Sequence, residues 1–160
     1  IDTNNFTNQT GVRTFEAAAF LRRNGADVVR VRKLFRDDLD DYKAKAEAVR
    51  EAEIFEGCFA ISTCPSEGIE SPTVVGAQAA NELLDIAGMK ASIVMTFYNN
   101  TIYLSARSID EVNVQVMMEK LGGGGHRTIA GAQLKDMSLE EARNRVKEVI
   151  RDMLEKGDIS

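Results

Sequence analysis

Ala91-Ser92-Ile93-Val94-Met95-Thr96-Phe97-Tyr98, Asn99-Asn100 and Thr101-Ile102-Tyr103-Leu104-Ser105-Ala106-Arg107 form the stretch that decides the fold. The first eight residues alternate, with Ile93, Met95 and Phe97 on one face, and this is the period of a strand. Asparagine tolerates positive φ, so Asn99-Asn100 makes a two-residue hairpin that returns the chain through Thr101 to Arg107. An antiparallel pair therefore sits mid-chain, and the remaining elements have to flank or cover it.

Working towards the N-terminus, Ser71-Pro72 supplies an N-cap and a first-turn proline for a helix running to about Ala87. Val75, Ala79, Leu83 and Ile86 line its apolar stripe, and Gly88 stops it. Ser66 to Ser71 reads as loop. Cys58 to Cys64 is a continuous apolar run with β-branched members, closed by Pro65, which predicts a strand buried on both faces. Three helices are expected before it: Arg13 to Asn24 with Phe15, Ala18, Ala19 and Arg22 on one face, Val28 to Phe35 with Val28, Val31, Leu34 and Phe35, and Asp38 to about Glu56 with Leu39, Tyr42, Ala46 and Val49 facing the core. Ile1 to Gly11 has turn-formers and no apolar period.

Beyond the hairpin, Val112 to Leu121 carries Val114, Met117, Met118 and Leu121 at helical spacing. Ser108 with Glu111 matches a capping box, although Asp110 and Asn113 are also candidate caps. Ala130 to Leu134 is a short edge or inserted strand. Ser138 and Glu141 make a second capping box, before a helix with Leu139, Ala142, Val146, Val149 and Met153 that ends at Gly157. The order gives an α/β fold: a mixed sheet of four or five strands flanked by helices and preceded by a helical linker.

Between the last two elements lies Gly122-Gly123-Gly124-Gly125-His126. Four residues without a Cβ carry a high backbone-entropy cost on folding, so the run points to a main chain that something approaches closely. Consecutive glycines can turn their N–H groups into an anion-binding concavity, and His126 adds a side-chain donor. The run follows a helix C-terminus, where the dipole disfavours anions, so cations should help; Arg107 and Arg127 are the nearest in sequence. The alternative is a C-cap glycine followed by a plain turn. Arg107 and His126 flank one helix of roughly 12 residues, ~18 Å long, and converge only if the loop folds back. Asn113 is either a cap or a ligand contact.

With 160 residues, 44% hydrophobic and 28% charged, the chain can build a real core. The net charge of −5 argues against a general nucleic-acid binder, while a local basic pocket remains allowed. No apolar run approaches a membrane span and no signal peptide is seen, so a cytoplasmic setting without membrane contact is expected. Cys58 and Cys64 read as reduced core thiols. No catalytic carboxylate pair is supported, and the opening at Ile1 reads as a piece of a longer chain.

The segments Ser105-Ala106-Arg107-Ser108, Asn113-Val114-Gln115, Met118-Glu119, Leu121, Gly122 to His126 and Ala130-Gly131-Ala132-Gln133 resemble the DHH-associated C-terminal domain of DHH-family phosphoesterases. Ala79-Ala80-Asn81-Glu82-Leu83-Leu84 is similar to the membrane-anchored cyclic-di-AMP phosphodiesterases of that family. The resemblance implies that residues 1–56 are the tail of the catalytic lobe plus a helical linker, and that 57–160 are the substrate-binding domain. It implies a parent that hydrolyses cyclic-di-AMP to the linear dinucleotide with two manganese ions held in the catalytic lobe. Asp2, in an Asp-Thr pair like one that ligates metal in the family, becomes a candidate ligand by analogy. The other ligands are not in this sequence, whose sole histidine is His126, so no metal is expected on this chain and no catalysis from it alone.

The same resemblance assigns Arg107, Asn113, Gly122, Gly123, Gly124, Gly125 and His126 to holding a cyclic dinucleotide or short oligonucleotide. The missing lobe of the same parent is the expected partner, and a homodimer is left open. An oligoribonuclease or pAp phosphatase of the same superfamily is the second enzyme reading. A non-catalytic nucleic-acid-binding module, like the related domain of alanyl-tRNA synthetases, is the third.

Overall fold

The computed structural model describes residues 3, 6, 10–36 and 38–159. The chain forms two compact units that meet in sequence at 37/38. The first holds helix α1 (Val12–Arg23) and helix α2 (Val28–Leu34). Asp27 caps α2, its carboxylate accepting from the N–H groups of Val29 and Arg30. Both helices lie where the sequence puts them, yet neither buries a residue: Phe15, Val28, Val31, Leu34 and Phe35 all remain exposed.

The second unit begins with α3 (Leu39–Arg50), capped by Asp38, and is built on one six-stranded sheet. Its strands are β1 (Glu53–Phe55), β2 (Phe59–Thr63), β3 (Ala91–Tyr98), β4 (Thr101–Ser108), β5 (Gly124–Gly125) and β6 (Ile129–Lys135). They run in the spatial order β1-β2-β3-β4-β6-β5. Among the described residues only β2 and β3 are parallel, joined by the crossover helix α4 (Pro72–Leu84). Helices α5 (Val114–Lys120) and α6 (Leu139–Glu155) complete the unit.

Asn99 and Asn100 both adopt positive φ, 47° and 57°, as the β3–β4 turn requires. The alternation expected in β3 is only half of what the strand does. Ala91 through Thr96 are all buried, because β3 is central and packed on both faces. Ile93 and Met95 enter a core with Met117, Met118, Val146, Ile150 and Met153 under α5 and α6. Val94 enters a second core with Ala44, Ala48, Val75, Ala79 and Leu83 under α3 and α4.

The six strands exceed the expected four or five. The helix expected to reach Glu56 stops at Arg50, and Glu53–Phe55 turns back as β1 through Glu56 and Gly57, both at positive φ. The buried face of α3 also differs: Ala44, Lys45 and Ala48 point inward, while Leu39, Tyr42 and Ala46 are exposed. Small residues let α3 lie close to the sheet, where the Ser62 hydroxyl donates to the Ala48 carbonyl at 2.5 Å. Lys45 is tolerated inside because its ammonium meets Glu82 of α4 at 3.0 Å. Cys64 is a buried free thiol, its pKa pushed up to about 11 by burial and by Asp41.

Edge strand β1 is fastened by α6. Lys147 Nζ lies 2.7 Å from Glu53 Oε1, Arg143 Nη1 lies 3.6 Å from Oε2, and Lys147 and Arg151 sit over the Phe55 ring at 5.5 and 5.0 Å. The hydrogen bond from Lys147 holds the Glu53 carboxyl below its ordinary value, helped by the charges of Lys147 and Arg143 against the opposing effect of desolvation. A depressed carboxyl contributes stability above its unfolded pKa and loses it as pH falls through the folded one. The melting temperature should therefore fall with acid below the ordinary carboxylate range, and Glu53→Gln should flatten that slope in a series of thermal melts; an unchanged slope would remove this network from the acid response.

The Ser138 hydroxyl accepts from the Glu141 N–H while the Glu141 carboxylate accepts from the Ser138 N–H, so the expected capping box is present on α6. Ser138→Ala should cost about 1 kcal/mol in urea unfolding.

Candidate functional site

The strand β6, expected at an edge or inserted, lies between β4 and β5. Ile102, Leu104 and Ala106 of β4 and Ala130, Ala132 and Leu134 of β6 enter the core beneath α5 and α6. Side chains alternate along a strand, so Tyr103, Ser105 and Arg107 and their β6 neighbours Gln133, Gly131 and Ile129 take the opposite face. Helix α4 packs there against β3 and β4. Further along, the face is open: Ile129 and Gln133 are exposed.

Register extends this face into rows. Arg107 pairs with Ile129, and Ile129 exchanges backbone hydrogen bonds with His126 at 2.7 and 3.3 Å, which puts Arg107, Ile129 and His126 in line. Ser105, Gly131 and Gly124 form the next row. The loop does fold back. The Arg127 carbonyl accepts from the Val114 N–H at 2.9 Å and the Thr128 carbonyl from the Ser108 N–H at 3.0 Å, tying the β5–β6 turn to the ends of α5 and β4.

The four glycines do not form the expected loop with a concavity of successive amides. The Gly122 N–H donates to Glu119 and the Gly123 N–H to Met118, at 3.0 and 2.8 Å, a Schellman closure of α5 with Gly122 at φ +80°. Gly124 and Gly125 then join the sheet as β5. A Cβ on Gly123 would stand 2.1 Å from the Gly131 carbonyl oxygen, and one on Gly125 2.6 Å from the Ala130 Cα, so both are needed for the strands to approach. Gly124 is different: its φ is not positive and no atom lies within 4 Å of the place a Cβ would take. Because the His126–Ile129 rung is bonded, the bonded rungs alternate and the Gly125 N–H is directed away from β6.

Arg107 is half-buried. Its Nε donates to Asn81 Oδ1 of α4 at 3.1 Å and its Nη1 to the Ala106 carbonyl at 2.8 Å, and among the described residues it faces no carboxylate. Burial pulls its pKa down, so the folded chain holds a guanidinium it does not neutralise. Arg127, the other nearby arginine, is exposed and already paired with Asp110 at 3.3 Å. Asn113 is the cap of α5, its Oδ1 accepting from the N–H groups of Gln115 and Val116, and this shortens the helix to 7 residues from the expected Val112–Leu121.

The expected residues thus separate. Arg107, His126 and Gly124 share the open face, Gly122, Gly123 and Gly125 have reasons within the fold, and Asn113 serves the helix. Asp2 lies outside the described residues. Sequence reasoning missed Asn81 and Ile129 as neighbours of Arg107 in the candidate site: a polar residue on a helix and an apolar one on a strand carry no local signal, and only tertiary packing and register bring them to Arg107. Among the described residues no group of three or more His, Cys, Asp or Glu is arranged to hold a metal, so they do not fit a manganese centre. None of the described helices is long and apolar enough to cross a membrane.

Fold and site define an open-sheet α/β domain that presents a bare strand edge and an uncompensated cation on one face. The family model of the DHHA1 domain matches residues 57–155. The chain belongs to the DHHA1 domain family. It is 43% identical over 158 residues to the cyclic-di-AMP phosphodiesterase GdpP of Geobacillus thermodenitrificans, covering 98% of this chain and 24% of that one. It is 44% identical over 147 residues to the cyclic-di-AMP phosphodiesterase PdeA of Listeria monocytogenes, covering 91% and 22%. The chain therefore spans about a quarter of the length of these relatives. A solved exopolyphosphatase-related protein from Bacteroides fragilis shares the fold, with a TM-score of 0.83 at 18% identity over 95% of this chain and 47% of that one.

Proposed function

We propose that this chain holds the substrate for a phosphodiesterase that opens cyclic-di-AMP to the linear dinucleotide. The observation that carries the reading is the row Arg107, Ile129, His126 beside the bare Gly124, on an open face where no carboxylate among the described residues neutralises the Arg107 guanidinium. Two relatives above 40% identity bear the name cyclic-di-AMP phosphodiesterase, which favours that substrate.

The chemistry of each residue follows from its place. Arg107 offers a planar donor pair to a phosphate, and His126 a single donor two strands away. Two strand spacings separate their backbones by ~10 Å, and Arg107 is held towards α4, a span for a ligand larger than one phosphate. Gly124 lets that ligand lie against the main chain. Ile129 offers apolar surface to a sugar or base. Water activation and bond cleavage belong to the rest of the parent protein, which also carries any manganese and any membrane anchor; this chain orients the substrate.

Nuclear magnetic resonance titration with cyclic-di-AMP, the linear diadenylate and cyclic-di-GMP tests the reading. Shifts should concentrate on Gly124, His126, Ile129 and Arg107, largest for cyclic-di-AMP. Gly124→Ala should keep the folded spectrum and weaken binding about tenfold, a loss of ~1.4 kcal/mol. Equal binding by that variant, or shifts confined to other surfaces, would move the ligand elsewhere.

A further inference from the structure

Building on the ligand reading above, we propose that Asn81 is a positioning residue whose neutral amide holds Arg107 in place while leaving its positive charge uncompensated for a phosphate group of the nucleotide. The Oδ1 of Asn81 accepts from Arg107 Nε at 3.1 Å, across 26 residues of sequence and from a different element. A second bond, from Nη1 to the Ala106 carbonyl at 2.8 Å, fixes the guanidinium plane. Both acceptors are uncharged. The adjacent carboxylate, Glu82, is turned instead to Lys45 at 3.0 Å, and Asp110 beyond the end of β4 goes to Arg127 at 3.3 Å.

The usual partner of a half-buried arginine is a carboxylate, which would hold the side chain more strongly and cancel its charge. An amide of the same shape holds the side chain, less strongly, and leaves the charge. The guanidinium is thus oriented before a ligand arrives, with its Nη2 edge unpartnered among the described residues and its field intact. Charge and orientation become separable by a substitution of one atom.

Asn81→Asp keeps the hydrogen bond and adds the charge; Asn81→Ala removes the bond and adds none. The assay is the nuclear magnetic resonance titration with cyclic-di-AMP, with the Arg107 Nε–H signal followed in parallel. Asn81→Ala should weaken binding by about threefold and lose the slowly exchanging Nε–H signal. Asn81→Asp should retain that signal and weaken binding by about tenfold or more, because the incoming anion meets an already neutralised cation. A purely structural role predicts the reverse order, with the bond-preserving Asp the milder change. Arg107→Ala separates the two claims. If it leaves binding unchanged, the ligand reading falls and this inference with it. If it abolishes binding while Asn81→Asp is no worse than Asn81→Ala, the ligand reading stands and the role of Asn81 is overturned.

Discussion

Gly123→Ala is expected to destabilise the second unit by about 3 kcal/mol, the upper range for a side chain forced into filled space. Its Cβ would stand 2.1 Å from the Gly131 carbonyl oxygen and 2.6 Å from both the Cα and Cβ of Ala132. These are backbone atoms and the stub of an alanine, which cannot swing aside as the far end of a long side chain could. β5 would have to lift from β6, and with it the β5–β6 turn that holds the N–H groups of Val114 and Ser108. Gly125→Ala should behave similarly, since it adds a contact of 2.6 Å to a φ of +145°. Gly124→Ala, between them in sequence, should unfold within about 0.5 kcal/mol of the parent. Urea unfolding of the three variants decides the point. A Gly123→Ala protein as stable as the parent would mean that the strands do not approach in this way, and that the whole run is free for a ligand.

That contrast shows what the sequence reveals about a glycine run and what it conceals. Four glycines beside a histidine announce close approach to the backbone, and this much is correct. Whether the visitor is a ligand or another strand of the same chain depends on β6, whose partner at positions 124 and 125 carries no local pattern, because a two-residue strand has no period. The same limit applies to β1. Ile54 and Phe55 extend the helical run of α3 without a break, and only pairing with β2 and the cations of α6 decides against the helix. The hairpin and the α6 capping box were legible, because turn chemistry and caps act through neighbours in sequence. The candidate site was half legible: Arg107 and His126 could be singled out and do share one face, while Asn81 and Ile129 come from elements joined to them only by tertiary register.

Arg107→Ala should weaken nucleotide binding by about ten- to a hundredfold, since a hydrogen-bonded contact to a charged group contributes roughly 1.5–3 kcal/mol. Its effect on stability should have the opposite sign or none. The guanidinium is half-buried with no carboxylate beside it among the described residues, and desolvation already pulls its pKa down, so the folded state is less hospitable to this charge than water is. Removing it relieves that cost while surrendering two hydrogen bonds to neutral acceptors. Arg107→Lys keeps a charge without the planar fork and should recover only part of the affinity. His126→Ala should lose about three- to tenfold, the range for one ordinary hydrogen bond, and leave the urea midpoint unchanged because the ring is exposed. The joint outcome is the discriminating one. A residue retained for the fold loses stability when cut back, whereas a residue retained for a ligand loses affinity alone; an Arg107→Ala protein that is clearly less stable yet binds the nucleotide as the parent does would return this guanidinium to the architecture of the sheet.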